Sequence, residues 1–208
     1  QKHERVLLHF VTAGVNRAAL ALAQNIGAEV FVTCATDEEH NILLRDYNVS
    51  SSHILPSEAA SVVAAIMSQT DGQGVDVTLS SVGGSLLKAC WECTAPFGRF
   101  IQLGRADLEK SKHLDMTPFG RGVSMTGLDT LQYSDMRGTI FHRALAESIE
   151  LLQNERARLA TSAKVFRLDE VDKAFEHIRG GSHLGSAVIL PQPGDEVHVI
   201  PKTKPSLG

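Results

Sequence analysis

Chemistry in this chain would have to come from three stretches. The first is Val11-Thr12-Ala13-Gly14-Val15-Asn16-Arg17, between an apolar run and a helical one. A turn in that place serves a dinucleotide when it is glycine-rich, because the backbone must approach the pyrophosphate while the next helix aims its N-terminus at it. Only Gly14 is glycine here, so the motif is poor, and these residues alone fit equally a strand-turn-helix that binds nothing. Arg17 is a cation that could approach a phosphate from the helix start, against the plainer reading of a solvated surface arginine. The second stretch is Ala35-Thr36-Asp37-Glu38-Glu39-His40. A hydroxyl followed three residues later by a carboxylate fits a capping box, and an acidic residue at this point can also accept ribose hydroxyls. The third, Cys90-Trp91-Glu92-Cys93, is formally a C-x-x-C. Redox or zinc chemistry needs an exposed thiol at a helix start or a second ligand pair, and this motif lies inside a helical pattern with neither, so it reads as packing.

No metal site is expected. The nine histidines are scattered without an H-x-x-x-H pair, and His9 inside the first apolar run reads as a hydrogen-bonded core residue. There is no G-x-S-x-G elbow and no Walker loop. Glu147 and Glu150 read as a solvated helix face. Trp91 and Phe97 read as core.

The elements that would position these residues alternate. Arg5–Val11 reads as a strand, Ala18–Ile26 as a helix closed by Gly27, Glu29–Cys34 as a strand and Thr36–Tyr47 as a helix. His53–Leu55 reads as a short strand, Ser57–Thr70 as a helix, Val75–Ser80 as a strand and Ser85–Thr94 as a helix. Pro96-Phe97-Gly98 reads as a turn before a strand over Arg99–Leu103, with a loop from Gly104 to Arg121 and another strand over Val123–Gly127. Gly138–Gln153 is the longest helical pattern. The strands read apolar on both faces, as strands covered by helices on both sides do. The pattern predicts an α/β fold, a doubly wound parallel sheet of Rossmann-like type with about six strands.

After about Leu159 the rhythm changes to a strand over Ala163–Phe166, a helix over Val171–Arg179 and a strand over Ala187–Leu190. Four of the seven prolines fall in Pro191–Gly208, which reads as a stiff linker. A composition 43% hydrophobic and 21% charged is that of a folded domain. The net charge of −4 gives no footprint for nucleic acid or an acidic membrane, and no apolar run is long enough to span a bilayer. Three cysteines are too few for a disulfide scaffold and point to a reducing, cytoplasmic setting. The start at Gln1 suggests a piece of something longer.

The stretch RVLLHFVTAGVNRAALALAQNIGAEVFVT resembles the start of the nucleotide-binding half of a polyketide synthase enoyl reductase, a medium-chain reductase. The resemblance continues in VDVTLSSVGGSLLKACWECTAPFGRFIQLGRADL, where the WEC-APFGRFI pattern is specific for fungal highly reducing iterative type I synthases, and in VFRLDEVDKAFEHIRGGSHLGSAVILP. PGDEVHVIPKTKPS is similar to the linker leading to a ketoreductase domain. The resemblance implies NADPH as cofactor, with Ala13, Gly14, Val15, Asn16, Arg17 and Thr36 at the cofactor-binding positions. It places Asp107 near proton donation, with Arg105 where the family has lysine.

The departures imply a degenerate site. The family turn runs Ala-x-x-Gly-x-x-Gly; this chain has Phe10, Ala13 and Asn16 at those places. Ala35–His40 stands where the family has Gly-Ser-x-x-Lys-Arg, so carboxylates replace the cations that would meet a 2′-phosphate. Ser182 and Ser186 replace the lysines of a GKHxGK segment, and Ser80 replaces an asparagine. The resemblance divides the chain into a nucleotide-binding subdomain over 4–158, a segment over 159–191 that would complete an otherwise absent substrate-binding subdomain, and a linker over 192–208. It implies an inactive enoyl reductase domain with a scaffold role. No cofactor is expected to bind tightly, a homodimer mate is expected at the edge strand Val123–Gly127, and enoyl reduction is left to a trans-acting reductase. The alternatives are an active NAD(P)H-dependent reductase of a carrier-bound enoyl thioester and a protein-docking module.

Overall fold

The computed structural model describes residues 1–9, 14–103, 114–153, 163–179 and 186–195. Two compact units divide the chain, Gln1–Leu159 and Ala160–Gly208.

The first unit is built on six parallel strands: β1 (Arg5–His9), β2 (Glu29–Cys34), β3 (Ile54–Pro56), β4 (Val75–Ser80), β5 (Thr94–Leu103) and β6 (Ser124–Leu128). Their order across the sheet is β3-β2-β1-β4-β5-β6. The order reverses between β1 and β4, and in such sheets ligands bind outside the carboxyl ends of the strands at that reversal. The expected doubly wound sheet is what the chain forms.

Each face of the sheet has its own helices. Val6, Leu8, Val30, Val32 and Ile54 pack with Leu20 of α1 (Gly14–Ile26) and Leu43 of α2 (Asp37–Asp46). Leu7, Phe31, Leu55, Val75 and Phe100 pack with Val62 and Ile66 of α3 (Ala59–Gln69) and with Leu87, Cys90 and Trp91 of α4 (Gly84–Glu92). Alternate strand residues point to opposite faces, so a continuous apolar run feeds both layers. Trp91 is fully buried against the edges of Phe100 and Phe119, and its indole N–H donates to the Asp115 carbonyl at 2.7 Å.

The Pro96-Phe97-Gly98 tripeptide is not a turn between elements. β5 runs through it as a strand with an irregularity: Val75 pairs with Thr94, but Val77 already pairs with Arg99. The surplus residues bulge out of the ladder, which a bulge accommodates by one residue in a left-handed conformation. That residue is Phe97, at φ +62°. The bend turns its ring outward, and the expectation of a core phenylalanine fails: Phe97 is 84% exposed. Its ring lies over Gly122, which sits at φ +75°, a left-handed conformation that favours glycine.

Two short helices fall outside the sequence reading. α5 (Thr117–Gly120) carries Pro118 in its first turn and lies within the expected loop. α6 (Thr130–Met136) is capped by Asp129, whose carboxylate accepts from the Leu131 and Gln132 amides at 3.0 and 3.3 Å. The longest helix, α7 (Gly138–Gln153), has the expected bounds, and Glu147 and Glu150 face solvent.

In the second unit, β7 (Ala163–Phe166) pairs in parallel with β8 (Ser186–Ile189), joined through α8 (Val171–Arg179). Arg167 donates to the Asp195 carboxylate, which also accepts from the Leu168 and Gln192 amides. Residues 192–195 are thereby tied to the start of the unit. No helix among the described residues is long and apolar enough to cross a membrane.

Candidate functional site at the carboxyl ends of β1 and β2

The carboxyl ends of β1 and β2 and the amino ends of α1 and α2 converge as the topology requires. His9 closes β1 and pairs in register with Thr33 of β2. Both side chains are fully buried, and the His9 ring hydrogen-bonds through Nδ1 to the Thr33 hydroxyl. His9 is the hydrogen-bonded core residue that its sequence position suggests. Burial holds its pKa down, at about 4, so the ring is neutral at physiological pH.

Asn16, in the first turn of α1, is also buried, and its amide donates to the His9 backbone carbonyl at 2.6 Å. The close approach of helix and strand that glycine usually permits is bridged here by a carboxamide. Gly14 opens α1, and Val15 faces solvent. Arg17 is buried to 7% exposure, not solvated as its position on a helix start suggested. Its charge reaches Tyr47, which follows α2: burial pushes the Tyr47 phenol up, and Arg17 pulls it part of the way back. Arg17 therefore faces inward. Phe10, Ala13, Arg105, Asp107 and Ser182 lie outside the described residues, and Ser186 opens β8.

At the end of β2 the expected capping box is present. The Thr36 hydroxyl accepts from the Glu39 amide at 3.2 Å. The Glu39 carboxylate accepts from the Thr36 and Ala35 amides at 3.3 and 2.7 Å. The backbone donors at the end of β2 are thus satisfied from within. Beside them opens a cleft of about 360 Å³, lined by Cys34, Ala35, Thr36, Asp37 and His40 on one side and by Ile54, Leu55 and Pro56 on the other. The β3 wall was not foreseen. Its signal is the parallel pairing that sets Pro56 opposite Cys34, which a strand placed one residue earlier obscures. The cleft is electronegative: the Cys34 thiol is pushed up by burial and then by the Glu39 and Asp37 charges.

A 2′-phosphate is met by cations and spare donors; the described lining holds neither lysine nor arginine and presents the Asp37 carboxylate beside His40. Nor do the described residues form a metal centre, since no three of His, Cys, Asp or Glu converge among them. The Cys90 and Cys93 thiols are fully buried and pushed up to about 12, which keeps them protonated and makes them poor ligands or nucleophiles.

Comparison with known proteins agrees with the fold. A family model described as zinc-binding dehydrogenase matches residues 51–189. A highly reducing polyketide synthase, pks5 of Leptosphaeria maculans, is 42% identical over 202 residues, covering 97% of this chain and 8% of the synthase. The chain thus spans about a twelfth of the length of that curated relative. Among solved structures, the CurK enoyl reductase aligns with TM-score 0.77 and 28% identity over 92% of this chain and 56% of its own. The nucleotide-binding subdomain of the enoylreductase domain of PpsC from Mycobacterium tuberculosis aligns with TM-score 0.70 and 28% identity over 76% of this chain and 87% of its own.

Proposed function

Because the chain belongs to the zinc-binding dehydrogenase family, we propose that it is the nucleotide-binding part of an enoyl reductase domain in a fungal highly reducing polyketide synthase, and that this copy no longer reduces. On this reading residues 4–158 are the nucleotide-binding subdomain, 159–191 complete a substrate-binding subdomain supplied by other parts of the synthase, and 192–208 lead to the next domain. The domain serves as a scaffold, with β6 as the contact to a homodimer mate and enoyl reduction provided by a trans-acting reductase.

The observation that carries the reading is the buried Asn16 carboxamide bonded to the His9 carbonyl. Pyrophosphate binding depends on bare backbone at this junction, and a side chain now occupies it. Hydride transfer gains much of its rate from holding cofactor and substrate in a near-attack geometry. A chain with a buried side chain at this junction and an acidic ribose end lacks the means to hold NADPH in that geometry. An active reductase is the rival reading, and Arg17, a buried cation at the start of α1, is the feature that favours it.

Titration of the chain with NADPH, followed by nicotinamide fluorescence and calorimetry, tests the proposal. We expect no saturation at millimolar cofactor. We also expect no NADPH oxidation when the whole reductase region of the parent synthase is supplied with an enoyl thioester. Turnover in that assay overturns the proposal.

A further inference from the structure

We infer that the two ends of the edge strand β6 are complementary to each other, so that a second copy of this chain docks there antiparallel, with Phe97 beside the partner's Leu131 and Arg121 facing the partner's Asp129. The inference rests on the reading of β6 as the dimer contact and adds the residues that fix its direction. It does not depend on whether the domain reduces anything.

Three observations support it. The first is exposure. Phe97 and Leu131, 84% and 78% exposed, are the two most exposed large hydrophobic side chains among the described residues. They flank β6: the Phe97 ring lies over Gly122 just before the strand, and Leu131 lies in the first turn of α6 just after it. Phe97 is held outward by a left-handed backbone at φ +62°, which a bulky residue adopts at a cost. Burial of the ring in the chain's own core does not offset that cost. The second is charge. Arg121, at the Phe97 end, donates to the Glu92 carbonyl at 3.0 Å and has no carboxylate within ion-pair distance among the described residues. Asp129, at the Leu131 end, accepts from the Leu131 and Gln132 amides through Oδ1, which leaves Oδ2 for another donor.

The third is symmetry. A two-fold axis through Thr126 pairs β6 with itself antiparallel, Ser124 opposite the partner's Leu128. Four residues from the axis, Gly122 then stands opposite the partner's Thr130, which brings the Phe97 ring to the partner's Leu131. Arg121 and the partner's Asp129 become diagonal neighbours about 7–8 Å apart between Cα atoms, a span that an arginine side chain covers. Each contact occurs twice. Within one chain Gly122 and Thr130 are about 26 Å apart at the rise of a strand, so neither pair can form internally. Parallel docking would instead set Arg121 against the partner's Arg121.

Sedimentation equilibrium of the full chain tests the arrangement. Phe97→Lys and Leu131→Glu should each weaken dimerisation about tenfold, since each removes an apolar contact twice per dimer. Arg121→Glu should weaken it as well. Phe97→Lys and Leu131→Glu combined in one chain should recover most of the loss, because the ammonium introduced in one protomer meets the carboxylate introduced in the other, and added salt should erase that recovery. Both positions lie in solvent in the single chain, and circular dichroism of each variant guards against a folding defect.

A dimer that responds to Thr126→Lys but to neither Phe97→Lys nor Arg121→Glu overturns the inference and leaves β6 as the contact. So does a double variant no better than the weaker of the two single ones. A monomer at every concentration overturns both the inference and the reading of β6 beneath it. None of these outcomes reads enoyl reduction, so NADPH oxidation bears on the inactive-reductase proposal alone.

Discussion

At the scale of single residues, His9 gives the clearest test. It is buried neutral between β1 and β2 with its pKa held at about 4 by the loss of water, whereas in the unfolded chain it titrates near 6.5. Below pH 6.5 the unfolded state takes a proton that the folded state refuses. Stability therefore falls as pH drops from about 6.5 toward 4 and levels off below that, with about 3 kcal/mol as the upper bound for this group. Urea unfolding measured across that range checks it, and His9→Gln should flatten the slope. The carboxylates with lowered pKa, Glu4 held down first by Arg99 and Asp195 first by the Gln192 amide, act in a separate and more acidic window. Both lose their contribution as pH falls through their own folded-state values.

At the scale of elements, the second helix depends on its cap. Thr36→Ala removes the acceptor for the Glu39 amide while leaving the backbone amides that serve the Glu39 carboxylate, and should cost about 1 kcal/mol of unfolding free energy. Thr36→Ser should recover most of it, as thermal denaturation followed by circular dichroism would show. This cap was legible in advance because it is a local rule, a hydroxyl and a carboxylate three residues apart. The alternation of β1 to β6 with helices was legible for the same reason: buried parallel strands are apolar throughout, and the bounds of β2, β4 and α7 follow from composition. Phe97 was not legible, because an aromatic residue is ordinarily core and nothing local announces a bulge that reverses its direction. Arg17 was missed in the opposite sense. Its burial at the start of α1 is a tertiary effect that no local pattern of residues 14–17 announces. The site splits in the same way: Thr36 and Glu39 could be read directly, but the apolar wall of the cleft exists only through the pairing of β2 with β3.

At the scale of the whole molecule, the six-stranded sheet ends at β6, with Ser124, Thr126 and Gly127 exposed and no described strand paired beyond it. An uncovered edge offers unpaired amides and carbonyls to a partner strand. If β6 is the dimer contact, sedimentation equilibrium should show concentration-dependent dimerisation, and Thr126→Lys should shift it about tenfold toward monomer by placing like charges face to face across the two-fold axis. A monomer at all concentrations, unaffected by the substitution, would remove β6 from that role.

The order of the strands also governs how the chain comes to exist. β1 is made first but lies inside the sheet, between β2 and β4. Its β2 side can close as soon as one helix has formed, yet its other neighbour begins only at Val75. Until that point has been synthesised, the strand destined for the middle presents an open flank on which any passing extended segment can settle. Pairing partners this far apart in sequence close slowly. Nascent molecules of this domain are thus most exposed to misassembly in the interval between the completion of β2 and the arrival of β4, well before the last strand of the sheet is made.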